Sequence, residues 1–475
     1  MHKDIKQQIK FGTDGWRGVI GDNFTFENVR IVTQAVCDYI HKELADTNKK
    51  VVVGYDTRFL SDKFAQTTAE VLAGNGIEVT LSDKYIPTPV VSFVTKTDGY
   101  CLGIMITASH NPAEFNGFKI KNAQGGSADA AITAKVEELL GQSPVRSLPL
   151  SEAKSKGLVK ITRLEDKYIK FLKSYLNMKL LKASKVKILQ DVMYGSGNGL
   201  LEKVLSATSI KTEIMHNEIN PSFGGVRPEP VVENLGEMIS RMKKEKFDLG
   251  LVLDGDADRI AAVEPKGLFI HPQQILALLF LHLKEDRKWS GGVVKTIAGT
   301  VMIDKIAKKL GVKLYETPVG FKYISRLMEK ENILVGGEEA GGMGVKNYIP
   351  ERDGTLAGLL LVEMMAYRKK NISQIMRGLE KEFGKYYYTR DELKLGEVKF
   401  EQEKILNKLP AKILNKKVAD IKSYDGIKII FEDEDWLMLR GSGTEPIVRV
   451  YAEAKKQSVA QKLVKEGKKI ILESY

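Results

Sequence analysis

Three aspartates in DGDADR, Asp254, Asp256 and Asp258, alternate along a segment that follows the apolar run FDLGLVL. A tight loop can turn all three carboxylates toward one hard cation, and a donor set made only of oxygen favours Mg²⁺ over zinc. Solvated turn acids are the alternative, yet three carboxylates beside a buried strand repel one another without a cation. An EF-hand would want glycine and glutamate where Arg259 and Pro265 stand. TASHNP (107–112) follows a second apolar run, GYCLGIMIT. The Ser109 hydroxyl there can form a phosphoester and split one difficult transfer into two easier ones. Ser-His-Asn-Pro is also common turn and cap chemistry. His110 lacks an evident orienting acid, so no serine-hydrolase triad is expected.

Two more loops have binding character. In GGEEAGG (336–342), glycines permit close backbone approach, and Glu338 and Glu339 offer acceptors for sugar hydroxyls, although glycine-rich turns with acids are common. RGSGTEP (440–446) gathers Arg440, the hydroxyls of Ser442 and Thr444, and the exposed N–H groups of Gly441 and Gly443, with Arg449 just beyond. That donor density suits an anion better than a plain hairpin turn does. A nucleophile, a metal cage, a hydroxyl reader and an anion clamp are the parts needed to bind a sugar phosphate and transfer its phosphoryl group.

The elements that must position these loops alternate apolar strand, glycine-rich turn and amphipathic helix, which argues α/β architecture. KKVVVGYDTR, VKILQDV, FDLGLVLD, GGVVKTIAG and NILVGG read as buried strands, with the turn YGSGNG between a strand and a helix. Each chemistry-bearing loop of the first three units follows a strand, as expected for ligand sites in open α/β sheets and for an internal structural repeat. The polar stretch 141–157 reads as a linker, and the Lys- and Tyr-rich stretch after GTLAGLLLVEMMAYRK as the last boundary. The expected units are 1–150, the α/β domain with the serine loop; 151–253, the metal-loop α/β domain; 254–375, the sugar-recognition α/β domain; and 376–475, an α+β phosphate-binding domain.

The 475 residues are too many for one ordinary core, and 43% hydrophobic with 28% charged residues is a soluble globular balance. No run approaches the about 18 to 20 apolar residues of a membrane span, and the N-terminal segment lacks the apolar stretch of a secretory signal. Cys37 and Cys101 sit in apolar runs without metal-ligand spacing, as expected of buried reduced thiols in a cytoplasmic protein. The net charge of +12 comes from lysines scattered among acids, with no long basic run or RNA-binding motif, so nucleic acid is not the expected partner.

FGTDGWRG (11–18), TASHNP, DGDADR, GEEAGG and RGSGTEP, in this order across nearly the whole chain, resemble the α-D-phosphohexomutase superfamily. TPVGFKYI (317–324) and YIPERDG (348–354) are similar to its phosphoglucomutase/phosphomannomutase branch, whereas the Gln-Ser-Gly-His sugar loop usual in the phosphoglucosamine branch is absent. The resemblance implies three related α/β domains and a C-terminal phosphate-binding domain around a central cleft. It implies a phosphorylated Ser109, with Mg²⁺ held by that phosphate and Asp254, Asp256 and Asp258. A hexose 1,6-bisphosphate would be intermediate and activator, in a monomer or homodimer whose partner is a small sugar phosphate. Arg17 and Lys119 match positions for charge stabilisation and proton transfer, and Arg259 an arginine beside the metal loop. The implied substrate-binding set is Gly337, Glu338, Ala340, Lys322, Arg352, Arg440, Ser442, Gly443, Thr444 and Arg449.

Two departures stand out. Ala340 replaces a serine found in many members, and Gly342 a histidine found in some. With no histidine there, Lys119 becomes the better candidate for the general base, a task that needs a lowered pKa. A haloacid-dehalogenase-like phosphatase would use Asp254 as nucleophile and Asp256 as acid. It usually wants Thr or Val where Asp258 stands, and it leaves the serine loop unexplained. A sugar-phosphate-binding protein without turnover is the non-enzyme rival, disfavoured by intact Ser109 and three aspartates.

Overall fold

The computed structural model describes residues 9–12, 14–394, 400–441 and 447–474. Three strands read from their apolar runs, Leu102–Ile106, Leu249–Leu253 and Ile333–Gly337, are buried at every residue. Such runs lack polar alternation because packed elements cover both faces of the sheet.

Each of these strands has a parallel neighbour on one side and an antiparallel one on the other. Leu102–Ile106 pairs with Lys50–Tyr55 and with the returning strand Phe115–Lys121. Leu249–Leu253 pairs with Lys187–Asp191 and the returning Ile260–Val263. Ile333–Gly337 pairs with Gly292–Thr296 and the returning Met343–Val345. The loop that joins each strand to its antiparallel return carries, in turn, Ser109, the three aspartates and Glu338. One supersecondary unit is thus used three times, and its turning loop carries the candidate residues each time. The fourth sheet is built differently, with six antiparallel strands in described residues 387–454 and the helix Gln457–Glu473 packed on them.

The expected boundaries need correction. Val159–Thr162 pairs with Glu78–Ser82, so the first sheet of seven strands extends past residue 150 and the polar stretch before it is no linker. A division at 253/254 cuts the hairpin between Leu249–Leu253 and Ile260–Val263, because the metal loop turns within the second sheet; that sheet ends with Phe269–Ile270. A division at 375/376 cuts the helix Ile372–Phe383, which buries Ile372, Ile375, Met376, Leu379 and Phe383 in the core shared by the second and third units. Cys37 and Cys101 are free and buried. Among the described residues no helix is long and apolar enough to cross a membrane.

Candidate active site

The serine loop turns sharply. Ser109 has φ +55°, a left-handed conformation uncommon outside glycine. Its N–H donates to Thr107 Oγ1 at 2.9 Å, and its hydroxyl donates to Asp254 Oδ2 at 2.9 Å. The carbonyl side of the same residue faces the metal loop, where a Cβ on Gly255 would come within 2.5 Å of Ser109 O. Glycine is needed there because the two backbones touch.

Asp254, Asp256 and Asp258 are fully buried, and one ligand oxygen from each lies within 4.8 Å of the others. Ala257, at φ +56°, makes the turn that lets these alternate side chains converge. Lys119 Nζ stands 2.8 Å from Asp256 Oδ2, 3.1 Å from Asp258 Oδ2 and 2.8 Å from Asp14 Oδ2. Thr88 Oγ1 donates to Asp256 Oδ2 at 2.5 Å, and Arg259 N–H donates to Asp254 Oδ1 at 3.1 Å. Burial, then Asp258 and Asp256, push the Asp254 carboxyl well above its ordinary range. Against a similar burial penalty, Lys119 holds Asp256 below that range. Asp256 Oδ1 and Asp258 Oδ1 are buried without a hydrogen-bond partner among the described residues. Orphaned carboxylate oxygens, all-oxygen donors and mutual repulsion are what a hard divalent cation would relieve, so the residues fit Mg²⁺.

The charges around Lys119 run against the lowered pKa that a general base needs. Burial would lower its pKa, but Asp14, Asp256 and Asp258 outweigh it and hold the pKa above the ordinary lysine value. Held as an ammonium by these carboxylates, it can stabilise charge and donate a proton. His110 Nδ1 lies 3.4 Å from Ser109 Oγ, a long contact, and burial with Arg259 and Arg17 nearby holds the imidazole well below its usual pKa. Arg17 extends from Gly15–Val19 and donates to Asn111 Oδ1, so it faces the serine loop.

The sugar-loop candidate is tied to the metal loop by Ile260 N–H donating to Gly341 O at 3.1 Å and by the bridge between Arg259 and Gly342. The two glutamates separate in role. Glu339 Oε2 accepts from Thr296 Oγ1 at 2.7 Å, whereas buried Glu338 Oε2 has no hydrogen-bond partner among the described residues. Burial pushes Glu338 up to about 7, with Arg352 opposing and Glu339 reinforcing. Ala340 is half-buried beside it, and Gly337 lies within the strand, where a Cβ would stand 3.0 Å from Leu276 Cδ1.

Arg352 is buried among carboxylates. It binds Asp14, and lies 2.8 Å from Asp258 Oδ2, 3.3 Å from Glu351 Oε1 and 3.6 Å from Glu338 Oε2. A Cβ at Gly342 would collide with Arg352 Cδ, so this arginine fills the space a side chain at 342 would need. Lys322 is the second residue of the helix Phe321–Lys330, with Nζ 5.2 Å from the Tyr323 ring centroid, and no described contact joins it to these loops.

Arg440 and Arg449 are direct cross-strand neighbours. Like charges in that position repel unless counter-ions or an anion intervene. Arg440 Nε donates to Asp425 Oδ1 at 2.9 Å, while Asp425 Oδ2 accepts from Val319 N–H at 2.7 Å, linking this strand to the segment before Lys322. Arg449 Nε lies 3.4 Å from Glu392 Oε1. Ser442, Gly443 and Thr444 lie outside the described residues.

Sequence reasoning missed Asp14, Arg58 and Thr88. Asp14 joins Lys119, Lys121 and Arg352; Thr88 holds Asp256; Arg58 grips the serine loop. Asp14 lies in the quoted FGTDGWRG, and Arg58 follows the strand VVVGY just as Ser109 follows its own, the one signal that pointed there.

The phosphoglucomutase/phosphomannomutase alpha/beta/alpha domain I family matches residues 8–144, domain II 166–267, domain III 271–383 and the C-terminal domain 397–469. A phosphoglucomutase/phosphomannomutase of Thermococcus kodakarensis is 30% identical over 98% of each chain. A phosphoglucosamine/phosphogalactosamine mutase of Sulfurisphaera tokodaii is 30% identical, covering 97% of this chain and 98% of the relative. The crystal structure of a phosphomannomutase candidate from Thermus thermophilus superposes with a TM-score of 0.87 at 33% identity, covering 98% of this chain and 99% of that one. With four domain families matched in order and relatives aligned end to end, the chain belongs to the phosphoglucomutase/phosphomannomutase family of the α-D-phosphohexomutase superfamily.

Proposed function

We propose that the chain interconverts the 1- and 6-phosphates of a hexose, glucose or mannose, with phosphorylated Ser109 as the carrier. The observation that carries this is the Ser109 hydroxyl, held in a strained turn 2.9 Å from Asp254 within a cluster of three buried carboxylates. Phosphoserine gives its phosphoryl group to the free sugar hydroxyl: the Ser109 Oγ–P bond breaks, the sugar O–P bond forms, and the proton of the sugar hydroxyl ends on Ser109 Oγ, which is a hydroxyl again. The resulting 1,6-bisphosphate turns over in the cleft, and its other phosphate returns to Ser109.

A phosphate on Ser109 adds about two negative charges beside three carboxylates, which calls for cations. Asp254, Asp256 and Asp258 would hold Mg²⁺, which when bound stabilises the serine oxygen as its phosphoryl group leaves. The Lys119 ammonium and Arg17 offset charge on the transferring group. A loose phosphoryl transition state requires little from a strong base, which suits a site where Lys119 stays protonated. Glu338 accepts from sugar hydroxyls, and Arg440 with Arg449 holds the distal phosphate.

Relatives are named for glucose, mannose and amino-sugar phosphates, so a coupled assay should compare glucose 1-phosphate, mannose 1-phosphate and glucosamine 1-phosphate. Turnover of the first two supports the proposal; a protein active on none of them contradicts it.

Arg440→Ala tests the anion clamp. A charged hydrogen bond is worth about 1.5–3 kcal/mol, so KM should rise about ten- to a hundredfold. Because the bisphosphate must stay held while it turns, activity should also depend more on added bisphosphate. An unchanged KM and activator requirement would make the loop structural.

Glu338 sets a pH dependence. Its raised value of about 7 means an acid below that pH and a carboxylate above it. The carboxylate is the stronger acceptor, so kcat/KM should rise as pH passes through about 7. Stability runs the other way, because the raised pKa contributes stability at low pH that is lost as pH rises through about 7. Glu338→Gln should remove this inflection and leave the one near pH 6 that belongs to the substrate's own phosphate, at about that pKa. A profile that keeps its inflection near 7 in the variant assigns it elsewhere.

A further inference from the structure

Arg58 stands three residues past the parallel strand Lys50–Tyr55, with a fully buried side chain. Its Nη2 donates to Ser109 O and Asn111 O, both at 2.6 Å, and its Nη1 donates to Pro112 O at 2.7 Å and Phe115 O at 3.0 Å. One guanidinium therefore collects four carbonyls of the segment that turns between Leu102–Ile106 and Phe115–Lys121. Asp56 Oδ2 lies 3.3 Å from Arg58 Nε, and the guanidinium carbon sits 4.8 Å from the ring centroid of Phe223, a residue of the second domain. Asp56 also accepts from Thr107 Oγ1 at 2.5 Å, and that hydroxyl oxygen accepts the Ser109 N–H. Ser109 is thus held at both of its backbone polar groups: at N–H through Thr107 and Asp56, and at C=O by Arg58. Across from Arg58, the same carbonyl abuts Gly255.

Backbone strain such as φ +55° at Ser109 persists only where the surroundings over-determine it. The rigid, forked guanidinium, with its counter-ion at Asp56 and its face on Phe223, is that determinant, and it spans both domains that contribute to the site. A lysine carries the charge but not the fork.

We propose that Arg58 is a positioning residue for phosphoryl transfer, clamping the carbonyls of the serine loop so that the Ser109 oxygen is fixed against Asp254. This rests on Ser109 as the carrier, so the two are tested side by side. A misplacement of about 1 Å can cost about a hundredfold in rate. Arg58→Lys keeps a cation beside Asp56 and is the deciding variant; Arg58→Met, which leaves Asp56 unpaired, is the harsher companion. In folded Arg58→Lys with Mg²⁺ present, kcat should fall about thirty- to a hundredfold, KM should stay within about threefold, and single-turnover transfer from pre-loaded phosphoserine should slow with kcat. A clamp that only stabilises the domain would lower the melting temperature and leave kcat of the folded protein intact. Wild-type kcat in Arg58→Lys beside an inactive Ser109→Ala overturns the clamp and keeps the carrier. A raised KM with unchanged kcat overturns it equally, by assigning Arg58 to ground-state binding. Turnover in Ser109→Ala overturns both.

Discussion

Ser109→Ala is expected to fold normally and to turn over sugar phosphate at least about a thousandfold more slowly than the wild type, with glucose 1,6-bisphosphate supplied. The size follows from the role. A carrier is a reactant in both half-reactions, so its loss removes the covalent route instead of weakening it. The fold should tolerate the change, because one buried oxygen goes and Asp254 loses one donor while keeping the Arg259 N–H. The loop retains its Arg58 clamp and its Thr107 contact through Ser109 backbone atoms, which alanine also has. Circular dichroism and a melting curve beside the kinetics separate a folded, inactive variant from an unfolded one. Near-wild-type turnover would place the carrier elsewhere.

Exhaustive chelation is expected to take turnover to background, and Mg²⁺ to restore it, with a much smaller change in sugar-phosphate binding. Removing one donor to developing charge typically costs about a hundred- to a thousandfold, and a cation shared by three carboxylates and a phosphate should matter at least as much. Asp254→Ala should reproduce the loss and be only weakly recovered by added Mg²⁺. Sugar-phosphate binding should change less because Arg440 and Arg449 lie on strands of the fourth sheet, away from the aspartates. Full activity after chelation would mean that Lys119, Arg17 and the protons of the site balance the charge unaided.

Much of this was legible in the chain. LGIMI and LGLVL announce buried strands because nothing polar interrupts them, and their loops announce function because the strand's carboxyl end leaves them beside a cleft. The units were cut wrongly where periodicity carries no information: the metal loop looks like the start of something new, yet it only turns a hairpin within one sheet. The carboxylate surroundings of Lys119 were out of reach because Asp14, Asp256 and Asp258 come together from distant parts of the chain. Arg58 left no motif that chemistry would recognise, since four of its partners are backbone carbonyls, and every residue type has one. The pairing of Gly342 with Arg352 was hidden for a related reason: an absent side chain explains itself only when its neighbour is seen to need the space.

The central claim is that Ser109 carries the phosphoryl group, and labelling tests it most directly. Purified protein incubated with radiolabelled glucose 1,6-bisphosphate and Mg²⁺, then digested and mapped, should yield one labelled peptide, modified at Ser109. A chase with unlabelled glucose 1-phosphate should discharge that label at a rate compatible with kcat, with the radioactivity appearing in the sugar bisphosphate. Label at an aspartate of the metal loop, or label on Ser109 that the sugar phosphate fails to discharge, would contradict the account.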